Sequence, residues 1–130
     1  NLFSNCWVNQ DTMTLLMQSF HSVGRFDLKY KQEVLRDNLG ILSEWSHVQY
    51  RVKIAVAQNI IAHKGTIGPQ KQFSTVRETH PLKRKFPSIQ EQLTEQRLGG
   101  MEQYVIPRLR DRSLNQMRNQ YARVLYSAHI

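Results

Sequence analysis

The chain has 130 residues, enough for one domain with a sizeable core, and its apolar fraction of 40% is typical of a soluble globular protein. It contains no apolar run near the roughly 18 residues of a membrane-spanning helix, and its single cysteine, Cys6, excludes an intrachain disulfide. The formal net charge is +8, and residues 64–130 carry +7 of it, with 12 Lys and Arg against 5 Asp and Glu. Such a field favours anionic partners, which include nucleic acid, acidic glycoproteins and anionic lipid.

The N-terminal segment predicts an arm followed by a helix. Residues 1–10 are apolar but irregular, and we expect this arm to be tucked against the rest of the domain. Apolar residues then recur at helical spacing, which indicates a helix capped by Asp11 or Thr12 and ended by Gly24.

The central prediction is one long helix from about Asp27 to His63, with Asp27 as its N-cap. The stretch holds no proline, and its apolar residues crowd onto one side at about 100° per residue. They are Val34, Leu35, Ile41, Leu42, Trp45, Val48, Val52, Ala55, Val56 and Ile60. An unbroken helix here would be roughly 50 Å long, so Trp45 is expected in the core beneath shorter helices. A kink is expected at Gly40, with Ser43 capping the second segment.

The second half of the chain predicts shorter helices separated by glycines and prolines. Residues 70–78 indicate a short helix, and Ser88 to Glu91 has the form of a capping box for a helix that ends at Leu98. One turn at residues 101–106 precedes a last helix that runs from about Pro107 or Ser113 to Tyr126, and strands are poorly supported. We therefore predict an all-α single domain over residues 1–130, a bundle of about five helices around one long helix.

The sequence lacks the motifs that usually carry catalysis. It has no GxSxG, P-loop, HExxH or CxxC. Its five histidines are scattered without the spacing of metal ligands. Cys6 lies in the terminal arm, which argues against its use as a nucleophile. We therefore predict a protein that is not an enzyme and that uses no metal or cofactor.

Cations in the second half form the candidate binding surface. Pro81 and Pro87 bracket three consecutive cations and hold them in an extended segment. We expect the cations to adsorb to an anionic partner, and apolar groups of the arm to enter the interface if that partner is lipid. The residues assigned to adsorption are Lys83, Arg84, Lys85, Arg108, Arg110 and Arg112, and those assigned to insertion are Phe3 and Trp7. The simpler alternative is a solvated surface that only keeps the domain soluble.

The order of these features resembles the abalone sperm acrosomal protein family, to which lysin and its fusagenic paralogue belong. The matching residues are Val23-Gly24-Arg25, Trp45, Gly65-Thr66 with Pro69, and Ile106-Pro107-Arg108. The resemblance implies a secreted, non-catalytic helical bundle of the sperm acrosomal vesicle, and the first residue, Asn1, is compatible with a processed product. The N-terminal half is less basic than that of lysin, which favours the fusagenic paralogue. The expected function is then fusion of sperm and egg membranes in fertilization, with anionic membrane lipid or an acidic egg-surface glycoprotein as partner.

Two other functions stay open at this point. A lysin-like protein would open the egg vitelline envelope as a stoichiometric binder, with the same cations meeting acidic glycans or a protein groove. A basic nucleic-acid-binding helical domain is the second alternative. It is the weaker prediction from sequence, because neither helix-turn-helix spacing nor a platform of stacking aromatics is evident.

Overall fold

The structure is a computed structural model and describes residues 4–57, 59–77, 89–110 and 122–130. It is mostly β within those ranges, so the predicted all-α bundle is wrong. The helices are α1 (Gln10–Val23) and α2 (Leu28–Leu39). The strands are β1 (Cys6–Trp7), β2 (Tyr50–Val56), β3 (His63–Thr66), β4 (Gln70–Arg77), β5 (Ile89–Arg97), β6 (Glu102–Val105) and β7 (Ala122–His129).

Helix α1 forms where the sequence predicts it, because local interactions close both of its ends. The side-chain oxygen of Asn9 accepts a hydrogen bond from the backbone N–H of Thr12 at 2.8 Å, so the cap is Asn9 rather than Asp11 or Thr12. Gly24 ends the helix in the left-handed conformation, with φ of 71°.

The long helix predicted from Asp27 to His63 is wrong beyond Leu39. Asp27 caps α2 as predicted, accepting a hydrogen bond from the backbone N–H of Tyr30 at 3.1 Å. Gly40 follows Leu39 in the left-handed conformation, with φ of 60°, and a left-handed residue cannot continue a right-handed helix. Gly40 is therefore a stop rather than a kink, and Ser43 caps no second helical segment.

Strand β2 follows a second periodicity within the stretch that was predicted to be helical. Large apolar residues occupy every second position of this strand, at Tyr50, Val52, Ile54 and Val56. Alternation with a period of two places them on one face of an extended strand. The β-branched members also favour a pleated backbone.

The strands pair in three small antiparallel sheets. One sheet has the order β1-β6-β3, and the other two are the β2–β7 ribbon and the β4–β5 hairpin. The helices predicted at residues 70–78 and from 88 to 98 are wrong, because these residues form β4 and β5. The predicted turn at residues 101–106 contains β6, and the end of the predicted last helix belongs to β7. Residues 111–121 of that helix lie outside the described ranges.

The buried core is divided into two clusters. Leu16, Phe20, Leu35 and Val48 form the larger one, which α1 and α2 build with the segment before β2. The smaller one contains Ile106, Leu109 and Ala122, with Trp7 packed against it. The described part of the arm, residues 4–10, is thus tucked into the structure as predicted, since β1 also pairs with β6. Trp45, predicted to be in the core, is 57% exposed.

Candidate functional site

One face of the β2–β7 ribbon gathers cations from distant parts of the chain. Paired residues of an antiparallel ribbon lie side by side on the same face, and the pairs here include Arg51–Ala128, Lys53–Tyr126 and Ala55–Arg123. We call this surface the basic ribbon face, and it consists of Arg51, Lys53, Arg123 and Tyr126. A register shift after Lys53 skips Leu125, which keeps Arg123 on the same face as Lys53.

The opposite face of the ribbon holds it to the body of the molecule. Ile54 packs against the smaller core cluster. Ala122, which pairs with Val56, is itself a buried member of that cluster. Since successive side chains of a strand point to opposite faces, the basic ribbon face is turned away from this cluster.

The basic ribbon face has no acidic residue within its own strands. Neither Tyr50–Val56 nor Ala122–His129 contains Asp or Glu, and no salt bridge joins the three cations to another described residue. The guanidinium carbon of Arg51 lies 5.9 Å from the centroid of the Tyr126 ring, within cation–π range. The Nε atom of Arg51 is buried and finds no acceptor among the described residues. The face therefore offers uncompensated positive charge to an anionic ligand.

An open cleft of about 1320 Å³ shares three residues with the basic ribbon face, namely Arg51, Lys53 and Tyr126. Apolar side chains also contribute to its lining, among them Met13, Met17, Ile41, Val52, Ile54 and Ile60. The cleft therefore borders both faces of the ribbon, because Val52 and Ile54 lie on the face opposite Arg51 and Lys53.

A second charged cluster joins the β4–β5 hairpin to α2. Arg97 is nearly buried, and its Nη1 donates hydrogen bonds to Oε2 of Glu33 at 2.7 Å and to Oδ1 of Asp37 at 3.1 Å. Its Nε donates to Oε2 of Glu95 at 2.7 Å. The Oε2 atom of Glu95 also accepts a hydrogen bond from the Ser43 hydroxyl at 2.7 Å.

The ionisation of this second cluster is set by its own hydrogen bonds. The bond from Arg97 lowers the pKa of Glu33, and the bond to Glu33 raises the pKa of Arg97 against the effect of burial. Burial alone would raise the pKa of Glu95, but hydrogen bonds from Ser43 and Arg97 outweigh it and the pKa is lowered. Arg97 is paired with carboxylates of the same chain, so it stabilises the fold and is not available to bind a ligand.

The predicted adsorbing residues do not form one site in the described part of the chain. Lys83, Arg84, Lys85, Arg112 and Phe3 lie outside the described residues. Arg108 and Arg110 are exposed in the turn after β6, where the backbone N–H of Arg110 donates to Oδ1 of Asn5 at 2.8 Å. They are not part of the basic ribbon face.

Trp7, which was assigned to membrane insertion, is held within the protein. Its indole N–H donates to the carbonyl oxygen of Ser4 at 2.7 Å. Its side chain packs against the smaller core cluster, and its backbone pairs with Tyr104 in the sheet. Insertion would therefore have to break a hydrogen bond and part of the core.

Sequence reasoning missed the basic ribbon face, although every one of its residues is visible in the sequence. The available signal is the acid-free alternation of Tyr50–Val56, which places Arg51 and Lys53 on one face of a strand. Its pairing with Ala122–His129 has no local signal, because the two strands are separated by most of the second half of the chain.

No family model matches this chain, and no curated protein or solved structure shows significant similarity to it. Within the described ranges, no helix has both the length and the apolar character needed to cross a membrane. The same ranges hold no group of three His, Cys, Asp or Glu residues placed to bind a metal ion. Membership of the sperm acrosomal family stays a prediction from the order of residues, and the helical bundle that it implies is contradicted by the fold.

Proposed function

We propose that this chain is a non-enzymatic nucleic-acid-binding protein whose basic ribbon face holds a single strand. The observation that carries the proposal is the grouping of Arg51, Lys53 and Arg123 with Tyr126 on one face, without an acidic residue in either strand. The sequence pI of about 10.0 agrees with this reading. A basic stripe on one face of a basic domain is the electrostatic feature expected of nucleic-acid-binding proteins.

The spacing of the cations suits a phosphate backbone. Arg51 and Lys53 are two residues apart on one strand, which separates their Cα atoms by about 6.6 Å. Arg123 pairs with Ala55, the next position of this face, so the three cations form a row along the ribbon. Such a row can contact successive phosphates, and each contact releases condensed counterions.

Tyr126 supplies a surface on which a base can stack. Its side chain is 45% exposed and lies on the same face as the cations. Stacking on an aromatic ring contributes about 1–3 kcal/mol per base and tolerates any base, because every base has a π-face. Bases of a duplex are already stacked, so the arrangement favours single strands.

These observations favour nucleic acid over the membrane and egg-coat functions expected from the resemblance. Membrane insertion needs apolar groups that can leave the protein, whereas Trp7 is hydrogen-bonded and packed in a sheet. The combination of Tyr126 with a row of three cations matches the base and the successive phosphates of a nucleic acid strand.

Salt-dependent binding of a fluorescent oligothymidylate tests the proposal. The variant with Arg51→Gln, Lys53→Gln and Arg123→Gln should lose about 2 units from the slope of log K against log salt, since each single-strand phosphate contact contributes about 0.7. The control variant with Lys29→Gln, Lys64→Gln and Arg108→Gln removes the same charge elsewhere and should keep the wild-type slope.

Tyr126→Leu should weaken binding of the oligothymidylate by about 1–3 kcal/mol, whereas Tyr126→Phe retains the ring and should preserve the affinity.

Two results would overturn the proposal. Equal loss of slope in both triple variants would mean that net charge, and not the basic ribbon face, is responsible. Binding of wild-type protein to anionic vesicles, with none to oligothymidylate, would assign these cations to lipid instead.

A further inference from the structure

We infer that the outer face of the β4–β5 hairpin is an interface with a second copy of this chain. The pairs Lys71–Gln96, Phe73–Leu93 and Thr75–Glu91 define this face, which we call the hairpin outer face. The other face of the hairpin docks on the body, where Arg97 and Glu95 make the contacts described above. Gln72 adds a hydrogen bond there, from Nε2 to Oε2 of Glu44 at 2.9 Å. Alternation along the strands therefore turns the hairpin outer face away from the body.

An apolar pair stands at the centre of the hairpin outer face. Phe73 and Leu93 are directly opposite each other across the two strands and are 52% and 45% exposed. A two-stranded hairpin is only marginally stable in water, and it gains stability when its apolar face is covered. Burial of this pair against another surface would supply that cover.

The amount of exposed surface indicates that an assembly provides the cover. Among the described residues, fourteen large hydrophobic side chains are exposed, against nine hydrophobic residues in the core. These exposed side chains leave apolar surface in water that an interface would bury, and a standard interface needs roughly 800 Å² from each partner.

The charges of the hairpin outer face are complementary to those of a second copy. Lys71 lies on one side of the central pair and Glu91 on the other, and neither makes a salt bridge to another described residue. A two-fold axis that lies in the plane of the interface, over the Phe73–Leu93 pair and perpendicular to the line from Lys71 to Glu91, places the second copy face to face with the first. Lys71 of each copy then approaches Glu91 of the other, which gives two equivalent ion pairs around a shared apolar centre.

Charge reversal tests this arrangement by sedimentation velocity at increasing protein concentration, without nucleic acid. Wild-type protein should dimerise. Lys71→Glu and Glu91→Lys should each weaken dimerisation by roughly tenfold or more, because each places like charges in contact twice. An equimolar mixture of the two variants should dimerise like wild type, since both contacts in the mixed dimer again join Lys to Glu. Lys29→Glu, the same change outside this face, should leave dimerisation unchanged.

Truncation of the apolar centre gives an independent readout. Phe73→Ala should weaken dimerisation by roughly tenfold or more, whereas Phe26→Ala removes a ring that is 54% exposed elsewhere and should not. Near-ultraviolet circular dichroism verifies that each variant is folded. A wild-type monomer at all concentrations, undiminished dimers of the single charge variants, or a mixture that fails to dimerise would each overturn the inference. None of these results depends on nucleic-acid binding, so this inference and the proposed function fail separately.

Discussion

Arg97 forms ion pairs with three carboxylates at the junction of α2 with the hairpin, and its positive charge offsets their mutual repulsion. Arg97→Leu keeps an apolar side chain in place but leaves Glu33, Asp37 and Glu95 without their counter-charge. Removal of one partner from a buried ion pair costs about 3–5 kcal/mol, and we expect about 3 kcal/mol here because two of the carboxylates are half exposed. Urea unfolding at neutral pH measures the change. The control Arg25→Leu breaks a pair that is exposed on both sides and should cost less than about 1 kcal/mol.

The contribution of Arg97 should also depend on pH. Its hydrogen bond holds the pKa of Glu33 below the ordinary value of 4.5 in the folded state. The unfolded state therefore binds more protons in this range, so the stability is present above pH 4.5 and is lost as the pH falls through the lower folded value. The difference in unfolding free energy between wild type and Arg97→Leu should narrow on acidification below pH 4.5. A difference that stays constant would contradict this assignment.

Two glycines with the same backbone conformation should respond differently to alanine. Gly99 and Gly24 have φ of 69° and 71°, a region that costs a residue with a side chain roughly 1–2 kcal/mol. A Cβ atom at Gly99 would lie 2.5 Å from the carbonyl oxygen of Ile67, whereas nothing lies within 4 Å at Gly24. Gly99→Ala should therefore lower the free energy of unfolding by at least about 1 kcal/mol more than Gly24→Ala. Equal losses in thermal or urea unfolding would show that the close approach of these backbones is relaxed in solution.

At the scale of elements, Trp45 distinguishes the observed fold from the predicted helix. A long helix would bury Trp45 and make Trp45→Ala cost about 3–5 kcal/mol. In the structure Trp45 lies in the turn after α2 and is mostly exposed, so the change should stay within about 0.5 kcal/mol. Leu35→Ala, which truncates a side chain of the larger core cluster, should cost about 2–5 kcal/mol. If Trp45→Ala instead lowers the free energy of unfolding in denaturant by about 3–5 kcal/mol, the result would favour the predicted long helix.

The change from helix to strand between Leu39 and Tyr50 has both a local and a tertiary cause. Gly40 adopts the left-handed conformation that ends α2, and any Cβ atom there would lie 2.9 Å from Cγ2 of Ile67. Arg36, which is buried at the end of the same helix, donates a hydrogen bond from Nη1 to the carbonyl oxygen of Ser46 at 2.6 Å. This bond holds the turn back against α2, so the chain leaves the helix axis before β2 begins.

At the scale of the whole molecule, the distribution of charge along the sequence differs from its distribution in space. The first 63 residues carry a net charge of +1 and therefore appear unimportant for anion binding. The basic ribbon face nevertheless takes Arg51 and Lys53 from that half and combines them with Arg123 from the other. Acidic residues of the first half, such as Glu33 and Asp37, are occupied by Arg97 and do not neutralise this face.

The two core clusters give the molecule a limited apolar interior. Each cluster is built by different elements, and each sheet has only two or three strands. Small sheets leave strand edges and apolar side chains in water, which proteins commonly cover by association. The self-association inferred for the hairpin outer face follows from this architecture as well as from its own residues.

Features that depend on neighbours in the chain can be predicted from the sequence alone. Helix α1, its end at Gly24 and the capping of α2 by Asp27 all rest on hydrogen bonds or backbone conformations within a few residues. The strongly basic character is likewise a property of composition. The end of α2 at Gly40 is predictable only in part. The sequence shows a glycine there, but a glycine can either kink a helix or end it in the left-handed conformation.

Long-range strand pairing selects which of two compatible periodicities the rest of the chain follows. Val52 and Val56 fit a helical stripe and also an alternating strand, so their spacing cannot choose between the two. The choice is made by hydrogen bonds to β7, which begins 66 residues after Val56. The candidate site was hidden for the same reason, because Arg123 and Tyr126 join Arg51 and Lys53 through pairing that has no signature within either segment.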